Sequence, residues 1–268
     1  MTQLTIFSVA TDSYLEFWID LYDSAEQFLD DNLTIQWIVF TNRPSDIPIQ
    51  VREATDPNLL LIPIDIPPWP MPTLLRYELL SSVAQEIRGK IVMHLDADML
   101  FTNALTENDL NEAVRDCDIA LVRHPGFFRP SGFSKIKFYS RNLRCIFSDL
   151  KSLILIGGIG SWEKNTDSLS FVPRKKRGVY VCGATWLGKK QAIIDLCYLL
   201  SERTRDDLSR NRIARFHDES HLNWYAANHE VKLLSPMYCY EKTYPQLKQI
   251  TPTIIAVDKG KEFTKKRS

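Results

Sequence analysis

The segment Ile91-Val92-Met93-His94-Leu95-Asp96-Ala97-Asp98 decides the fold, because a short apolar strand ends there directly in two carboxylates. Further apolar strand candidates alternate with helical patterns along the first half: strands at 4–9, 33–40 and 59–66, and helices at 13–29 and from Thr73 towards Gly89. This alternation predicts a mostly parallel sheet with helices on both faces. Ligands bind beyond the carboxyl ends of strands in such sheets, which is where Asp96 and Asp98 lie.

The composition is that of a soluble globular protein. The 268 residues are 44% hydrophobic and 25% charged, and their formal net charge is zero, so the overall balance does not indicate a nucleic acid or acidic membrane partner. The five cysteines are scattered without a CxxC pair, which predicts free thiols. No signal-peptide pattern and no apolar run of about 20 residues is visible, so we expect a cytoplasmic protein without a membrane anchor.

The second half has a less regular pattern. It predicts strands at 119–122, 179–186 and 231–234, and helices at 191–202 and after His217. Residues 129–170, which are rich in basic and aromatic side chains, are predicted to form an inserted, flexible subregion of a single domain. The basic runs 174–177 and 265–267 are typical of solvated loops, but both could also lie near phosphates.

Asp96 and Asp98 are candidate metal ligands. Two carboxylates one residue apart at a strand end can converge on one hard cation, and oxygen ligands with room for phosphates and waters suit Mg²⁺ or Mn²⁺. The cation would act as a Lewis acid on a departing phosphate. The alternative is a solvated acidic turn.

The segment His217-Asp218-Glu219-Ser220-His221-Leu222-Asn223 concentrates titratable groups at a predicted helix start. Capping of the helix would account for one acid but not for this density. His217 and His221 have the spacing of zinc ligands, but no HExxH pattern accompanies them. In the strand before this helix, Gly183 and Ala184 indicate a bulge, close packing of a helix, or a floor on which a ligand approaches the backbone.

Several segments resemble glycosyltransferase family 6, which contains the blood-group A and B transferases and α-1,3-galactosyltransferase. They span nearly the whole chain and occur in the same order as in the family. Those segments are 217–223, Leu234-Ser235-Pro236-x-Tyr238, Leu95-Asp96-Ala97-Asp98-Met99, His124-Pro125-Gly126-Phe127, and Arg76-x-Glu78 after Trp69. The resemblance implies a single GT-A-type α/β domain, with a Rossmann-like sheet that carries the DxD motif at a strand end. It also implies a nucleotide-binding half at about 1–101, an acceptor-binding and catalytic half at about 102–257, and a closing tail at 258–268.

The same resemblance implies a retaining transfer of galactose or N-acetylgalactosamine from UDP to a hydroxyl, usually the 3-OH, of a galactose-like glycan, with Mn²⁺ or Mg²⁺. It assigns Glu219 as the catalytic residue, as a covalent nucleophile or as a stabiliser of an ion pair. Asp96 and Asp98 would bind the metal. The implied donor contacts are Phe7, Val9, Tyr14, Arg76, Asp96, Gly183, Ala184, Asp218 and Lys259, and Lys265 may replace a further family arginine. The implied acceptor contacts are His124, Phe216 and Glu241.

Several departures from the family pattern refine these expectations. The animal members carry an anchor and stem that this chain lacks, so it resembles a bacterial or viral member. Bacterial members often have Asn-x-Asn where this chain keeps Asp96 and Asp98, which predicts metal dependence. Cys182-Gly183-Ala184 is nearest the Gly-Gly-Ala of Forssman synthase and favours N-acetylgalactosamine. Phe216 replaces a tryptophan and Glu241 an aspartate, so we expect a different acceptor.

Three alternative functions are weighed against this one. A nucleotidyltransferase would need a phosphate-binding glycine-rich loop near the first strand, which Ser8-Val9-Ala10-Thr11-Asp12 does not provide. A catalytically weak UDP-sugar-binding protein or a donor hydrolase is the other possibility. A pure binder has no use for a carboxylate such as Glu219 beneath the anomeric carbon. The sequence does not predict the oligomeric state.

Overall fold

The computed structural model describes residues 2–55 and 57–258, which form an α/β fold around a seven-stranded sheet. The strands are β1 (Thr2–Val9), β2 (Leu33–Thr41), β3 (Leu59–Pro63), β4 (Ile91–Leu95), β5 (Met99–Phe101), β6 (Ile119–Arg123), β7 (Val181–Lys189), β8 (Lys232–Leu234) and β9 (Ile254–Ala256). The α-helices are α1 (Tyr14–Phe28), α2 (Ile49–Thr55), α3 (Met71–Leu74), α4 (Arg76–Ser82), α5 (Glu107–Ala113), α6 (Gly132–Arg141), α7 (Leu143–Leu155), α8 (Lys190–Ser209) and α9 (His217–Asn228).

The main sheet is mostly parallel, as predicted. Its strand order is β3-β2-β1-β4-β7-β6-β8, and only β7 runs antiparallel to its two neighbours, β4 and β6. Strands β5 and β9 form a separate antiparallel pair. Because β7 runs antiparallel to β4, Leu95 at the end of β4 pairs with Thr185 in the middle of β7, and the first residues of β7 lie beyond the end of β4. Asp96 and the segment Cys182-Gly183-Ala184 therefore lie together beyond the C-terminal end of β4.

The hydrophobic core lies on both faces of the sheet. Along β4, Met93 and Leu95 pack with Trp18 of α1 on one face, whereas Val92 packs with Tyr77 and other residues of α4 and α8 on the opposite face. This alternation is the period of two that a strand imposes on its side chains. His94 shares the face of Val92, and its ring lies 5.0 Å from the ring of Trp186.

The helix predicted to start at Thr73 is the clearest local error. The structure divides this stretch into the short helices α3 and α4 and a 3-10 turn at Ala84–Glu86. Thr73 does not cap a helix, because it lies inside α3 and its hydroxyl donates to the carbonyl of Pro70 at 2.8 Å. The helix predicted at 191–202 is in turn longer, extending through Ser209 as α8.

The structure adds detail to two predictions for the region after β6. Residues 129–170, predicted as an inserted, flexible subregion, contain the helices α6 and α7. Residues 174–176 of the basic run are exposed, as expected of a solvated loop, and Arg174 and Arg177 also donate to the backbone carbonyls of Leu155 and Ile156 at the end of α7. Cations at a helix C-terminus satisfy its last carbonyls and complement its dipole.

In the described part of the chain, no helix is both long and apolar enough to cross a membrane.

Candidate active site

A cleft of about 300 Å³ opens beyond the ends of β1 and β4. Predicted site residues line it together: Val9, Tyr14, Arg76, Asp96 and Asp98. Trp69 and Thr73 close the opposite wall. Phe7 is not among the lining residues, because its side chain is fully buried and packs against His94 and Trp186 at ring distances of 4.6 and 5.4 Å. The cleft thus combines an apolar wall with two carboxylates.

Asp96 and Asp98 occupy the turn between β4 and β5. The backbone N–H of Asp96 donates to the carbonyl of Ala184 at 2.9 Å, which ties this turn to β7. Asp98 is buried, whereas the Asp96 side chain is about one-third exposed. The two carboxylates fit a divalent cation whose other ligands come from phosphates and water. Within residues 2–55 and 57–258, no group of three or more acidic, histidine or cysteine side chains forms a complete metal site.

Arg76 is a buried cation at the centre of the site. Its Nη1 lies 2.9 Å from Oδ1 of Asp96 and 3.3 Å from Oδ2 of Asp218, and it donates to the carbonyl of Gly183 at 3.1 Å. Burial lowers the pKa of Arg76, but the negative charges of Asp218 and Asp96 outweigh burial and raise the pKa overall. One guanidinium therefore joins residues from α4, β4, β7 and α9.

His94 is a member of the site that the sequence did not reveal. Its Nε2 lies 2.6 Å from Nη1 of Arg76 and 3.2 Å from Oδ1 of Asp96. Burial and the charge of Arg76 lower the pKa of His94 to about 4, so the ring is neutral at neutral pH. Because Nε2 accepts the proton of Arg76, the ring proton resides on Nδ1 and the contact with Asp96 is not an ion pair. The only sequence signal was a histidine inside an apolar strand.

Asp218 and Glu219 enter the site from the first turn of α9, close to β7. The backbone N–H of Gly183 donates to Oε2 of Glu219 at 2.9 Å. A Cβ atom on Gly183 would lie 3.0 Å from Oδ2 of Asp218 and 3.1 Å from Cβ of Glu219. The absence of a side chain on Gly183 thus permits close packing of α9 against β7, one of the alternatives for this position.

The acidic pair is strongly perturbed. Burial raises the pKa of Asp218 to about 7, although Arg76 opposes this rise. Burial likewise raises the pKa of Glu219 to about 7, against the lowering effect of the bonds from Gly183 and Tyr180. Carboxylates crowded around one guanidinium disfavour each other's ionisation. Perturbed carboxyl groups beside a cleft are typical of catalytic sites.

His124 and Tyr180 lie on the other side of Glu219. Nε2 of His124 is 3.9 Å from Oε2 of Glu219, and its Nδ1 accepts the backbone N–H of Gly126 at 3.0 Å. Burial lowers the pKa of His124 to about 4, although the nearby charge of Glu241 opposes the shift. Tyr180, another residue that the sequence did not reveal, packs against the His124 ring at 5.7 Å. Burial and the charge of Glu219 raise its pKa.

The remaining predicted residues lie around this centre or outside the described chain. Phe216 is partly exposed, immediately before α9, and the guanidinium of Arg215 lies 5.3 Å from its ring centroid. His217 packs edge-on against Trp69 at 4.8 Å, whereas His221 is buried near Asp207. Lys259 and Lys265 lie outside the described residues.

Comparison with known proteins relates the chain to one family. Residues 160–267 match the model of glycosyltransferase family 6. The chain is 24% identical over 260 residues, 97% of its length, to the O-antigen biosynthesis glycosyltransferase WbnI of Escherichia coli, of which it covers 96%. These matches support glycosyltransferase family 6 as the family of this chain. The chain is also 25% identical over 244 residues, 89% of its length, to the histo-blood group ABO system transferase 1 of Rattus norvegicus, of which it covers 60%.

A third relative is the globoside alpha-1,3-N-acetylgalactosaminyltransferase 1 of Canis lupus familiaris, 25% identical over 250 residues, or 91% of this chain. The chain spans about 62% of the length of that relative. The stretch matched by the family model contains Gly183, Asp218 and Glu219, and Arg76, Asp96 and Asp98 precede it. The family match and the relatives support a glycosyltransferase, and the family implies a nucleotide-sugar donor and a glycan acceptor.

Proposed function

We propose that this protein is a retaining α-1,3-glycosyltransferase, which moves N-acetylgalactosamine or galactose from its UDP derivative to a galactose-like hydroxyl. The observation that carries the proposal is the Glu219 carboxylate, held at 2.9 Å by the backbone of Gly183 beside the charge cluster at the cleft. A carboxylate so placed can face the positive charge that develops on a departing sugar. The site also provides separate places for a donor and an acceptor.

The donor is proposed to bind across the cleft beyond β1 and β4. Val9 and Tyr14 would contact the uridine, and Phe7 would support that wall from behind. Asp96 and Asp98 would hold Mn²⁺ or Mg²⁺, which, when bound, supplies Lewis-acid stabilisation to the diphosphate leaving group. This assignment gives donor binding to the half at about 1–101, and acceptor binding and catalysis to the half at about 102–257.

Arg76 and Asp218 are proposed to hold the hydroxyls of the donor sugar. Both carry a buried atom without a hydrogen-bond partner in the described structure, Nε of Arg76 and Oδ2 of Asp218. Buried polar atoms normally have partners, and a sugar hydroxyl both donates and accepts. Such hydroxyls would therefore complete the hydrogen bonding of the site. Gly183 and Ala184 are proposed to lie beneath the sugar.

Glu219 is proposed to act in its ionised form on the β face of the anomeric carbon. An ionised carboxylate serves both routes to retention, as a covalent nucleophile or as the partner of an oxocarbenium-like ion. The N–H of Gly183 and the hydroxyl of Tyr180 favour that ionised form by lowering the pKa of Glu219 against burial. The backbone of Gly183 thus positions the carboxylate and helps to keep it charged.

The acceptor is proposed to bind on the His124 side of Glu219. His124 is neutral, and because its Nδ1 accepts from Gly126, its Nε2 carries the proton and faces Glu219. A hydroxyl between them would be oriented by the imidazole and lie beside the reacting centre. Glu241 and Phe216 would contact the rest of the glycan. Lys259 and Lys265, outside the described residues, are proposed to contact the pyrophosphate as the tail closes.

A donor and metal screen tests the proposal. The enzyme is incubated with UDP-N-acetylgalactosamine, UDP-galactose or UDP-glucose and a galactoside acceptor, with Mn²⁺ or with a chelator. We expect UDP release with Mn²⁺ only, a preference for N-acetylgalactosamine, and an α-linked product by NMR. A β-linked product would disprove retention. Undiminished turnover in the chelator would disprove the roles of Asp96 and Asp98.

A further inference from the structure

Helices α6 and α7 present an apolar surface to solvent. In α7 the side chains of Leu143, Phe147, Leu150 and Ile154 are all exposed, and their spacing of four, three and four residues places them on one helical face. Phe133 and Ile136 of α6 add to this surface. We call these six residues the apolar stripe. Exposed apolar patches of this size commonly mark interaction sites.

The apolar stripe protrudes. Phe133 is 91% exposed, Phe147 73% and Ile154 71%, so these side chains stand out from the helices and do not line a groove. Protruding Phe, Leu and Ile side chains can enter a fluid apolar phase, because such a phase adapts to side chains of any shape.

On the inner side of the two helices, α6 buries the ring of Phe138 and α7 buries a firmly bound carboxylate. Asp149 of α7 is buried, and its two oxygens accept from Arg129 at 2.7 Å each. The hydroxyl of Tyr139 in α6 donates to the same carboxylate at 2.7 Å. Arg174 and Arg177 bind the end of α7, as described above. Helix α7 thus places its acidic group inside and the apolar groups of the stripe outside, the reverse of an ordinary surface helix.

In the segment that carries the apolar stripe, the exposed charged side chains are all positive. From Phe127 to Trp162 the sequence contains one acid, Asp149, and Arg129 neutralises it. The basic side chains that remain are exposed: Lys135, Lys137, Arg141, Arg144 and Lys151. The chain therefore has a face that is both basic and apolar, although its formal net charge is zero.

We propose that the apolar stripe and its basic neighbours dock this enzyme on an anionic lipid bilayer. The apolar side chains would enter the boundary between headgroups and acyl chains, and the cations would remain among the anionic headgroups. Docking through a two-fold contact between two copies is disfavoured, because it would bring like charges together. The docked face lies close to the His124 side of the active site, since Leu153 of α7 lines a cleft of about 290 Å³ with Phe127 and Tyr180.

Vesicle co-sedimentation tests the docking. The full chain is mixed with vesicles of phosphatidylethanolamine and phosphatidylglycerol, and in parallel with vesicles of phosphatidylcholine alone. We expect binding to the anionic vesicles that declines with salt, and at least about tenfold less binding to the neutral ones. The double variant Phe147→Ser with Ile154→Ser should lose at least about tenfold in partitioning, as should Lys135→Glu with Arg144→Glu.

Matched controls separate docking from general effects. Ile49→Ser alters a 63% exposed apolar residue on α2, and Lys90→Glu an exposed lysine beside β4, and both should bind vesicles like the parent. Equal binding by the stripe variants and the parent would overturn the proposal. The proposal would also be overturned if the parent protein did not bind anionic vesicles. This holds whether the parent elutes as a dimer that Phe147→Ser dissociates or binds only an acidic protein. Donor hydrolysis, measured without vesicles, reports the proposed function independently.

Discussion

Two regions of the protein arrange charge in opposite ways. They are the active-site cluster, formed by Arg76, His94, Asp96 and Asp218, and the apolar stripe. At the cluster, the guanidinium of Arg76 is buried among Asp96, Asp218 and neutral His94. Along the stripe, exposed cations flank exposed apolar side chains, and the only acid nearby is buried beneath them. The cluster has its charges fixed in place within the fold. The stripe leaves its cations and apolar groups without partners of matching chemistry in the described chain.

This difference assigns different physical tasks to the two regions. Groups held rigidly in a buried site need little reorganisation during a reaction, which is the basis of electrostatic catalysis. Groups that protrude into solvent contribute little to folding but can bind an external surface. Damage to the cluster should therefore affect both turnover and stability, whereas damage to the stripe should affect docking alone.

The largest effect is expected from Arg76→Met, which removes the only cation at the centre of the cluster. Asp96 and Asp218 would then face each other uncompensated, so the free energy of unfolding should fall by about 3–5 kcal/mol. Turnover should fall at least about a thousandfold, because the variant also loses a proposed sugar contact. Chemical denaturation and UDP release measure the two effects.

Arg88→Met is the matched control, since Arg88 is exposed and makes one 3.3 Å hydrogen bond to the carbonyl of Pro57. Arg88→Met should change neither the free energy of unfolding nor the turnover appreciably. If Arg76→Met keeps wild-type turnover, the central role of this guanidinium is wrong.

Gly183→Ala should cause the next largest effect. The new Cβ would meet Oδ2 of Asp218 at 3.0 Å and Cβ of Glu219 at 3.1 Å, so α9 must shift and the bond from the Gly183 N–H to Glu219 must lengthen. Donor hydrolysis should fall by about tenfold to a hundredfold. Gly178→Ala, at a site with nothing within 4 Å, should be neutral. Equal rates in the two variants would show that this close approach has no part in catalysis.

The pKa values of Asp218 and Glu219, both raised to about 7, predict that activity and stability change in opposite directions as pH rises. Ionised Glu219 is the active form, so turnover should rise as pH increases through about 7. The folded state of the unbound enzyme holds protons on Asp218 and Glu219 that the unfolded chain releases near pH 4, so their contribution to stability is lost as pH rises towards and through 7.

Glu219→Gln should therefore stabilise the unbound enzyme by about 1–3 kcal/mol at pH 8 and by little at pH 5. Thermal or chemical unfolding of both proteins at the two pH values measures this. Equal stabilisation at pH 5 and pH 8 would contradict the raised pKa of Glu219.

The smallest effect is expected from the stripe variant Phe147→Ser with Ile154→Ser. Both side chains are exposed, so the free energy of unfolding should change by less than about 0.5 kcal/mol per site. Donor hydrolysis in the absence of vesicles should match that of the parent. A large loss of either would show that the apolar stripe belongs to the folded core or to the active site, and the contrast between the regions would disappear.

The sequence predicted the sheet and much of the cluster, but not every member of it. The apolar strand before Asp96 and the acid-rich start of α9 are local patterns, and the sheet brings them together at one edge. His94 and Tyr180 have no such pattern, since their roles arise only from contacts with Arg76 and Glu219, which are distant in sequence. The stripe was missed for a related reason. Helical periodicity shows that α7 has an apolar face, but only the fold shows that this face is exposed.

The most direct test of the central claim compares Glu219→Gln with the parent enzyme in the presence of Mn²⁺. Calorimetry measures the binding of the UDP-sugar, and UDP release measures turnover. Glutamine keeps the size of the side chain but cannot carry the negative charge. We predict similar donor affinity, with turnover at least about a hundredfold lower, because charge stabilisation is lost only in the transition state. Parental turnover in Glu219→Gln would contradict the assignment of Glu219 as the catalytic carboxylate.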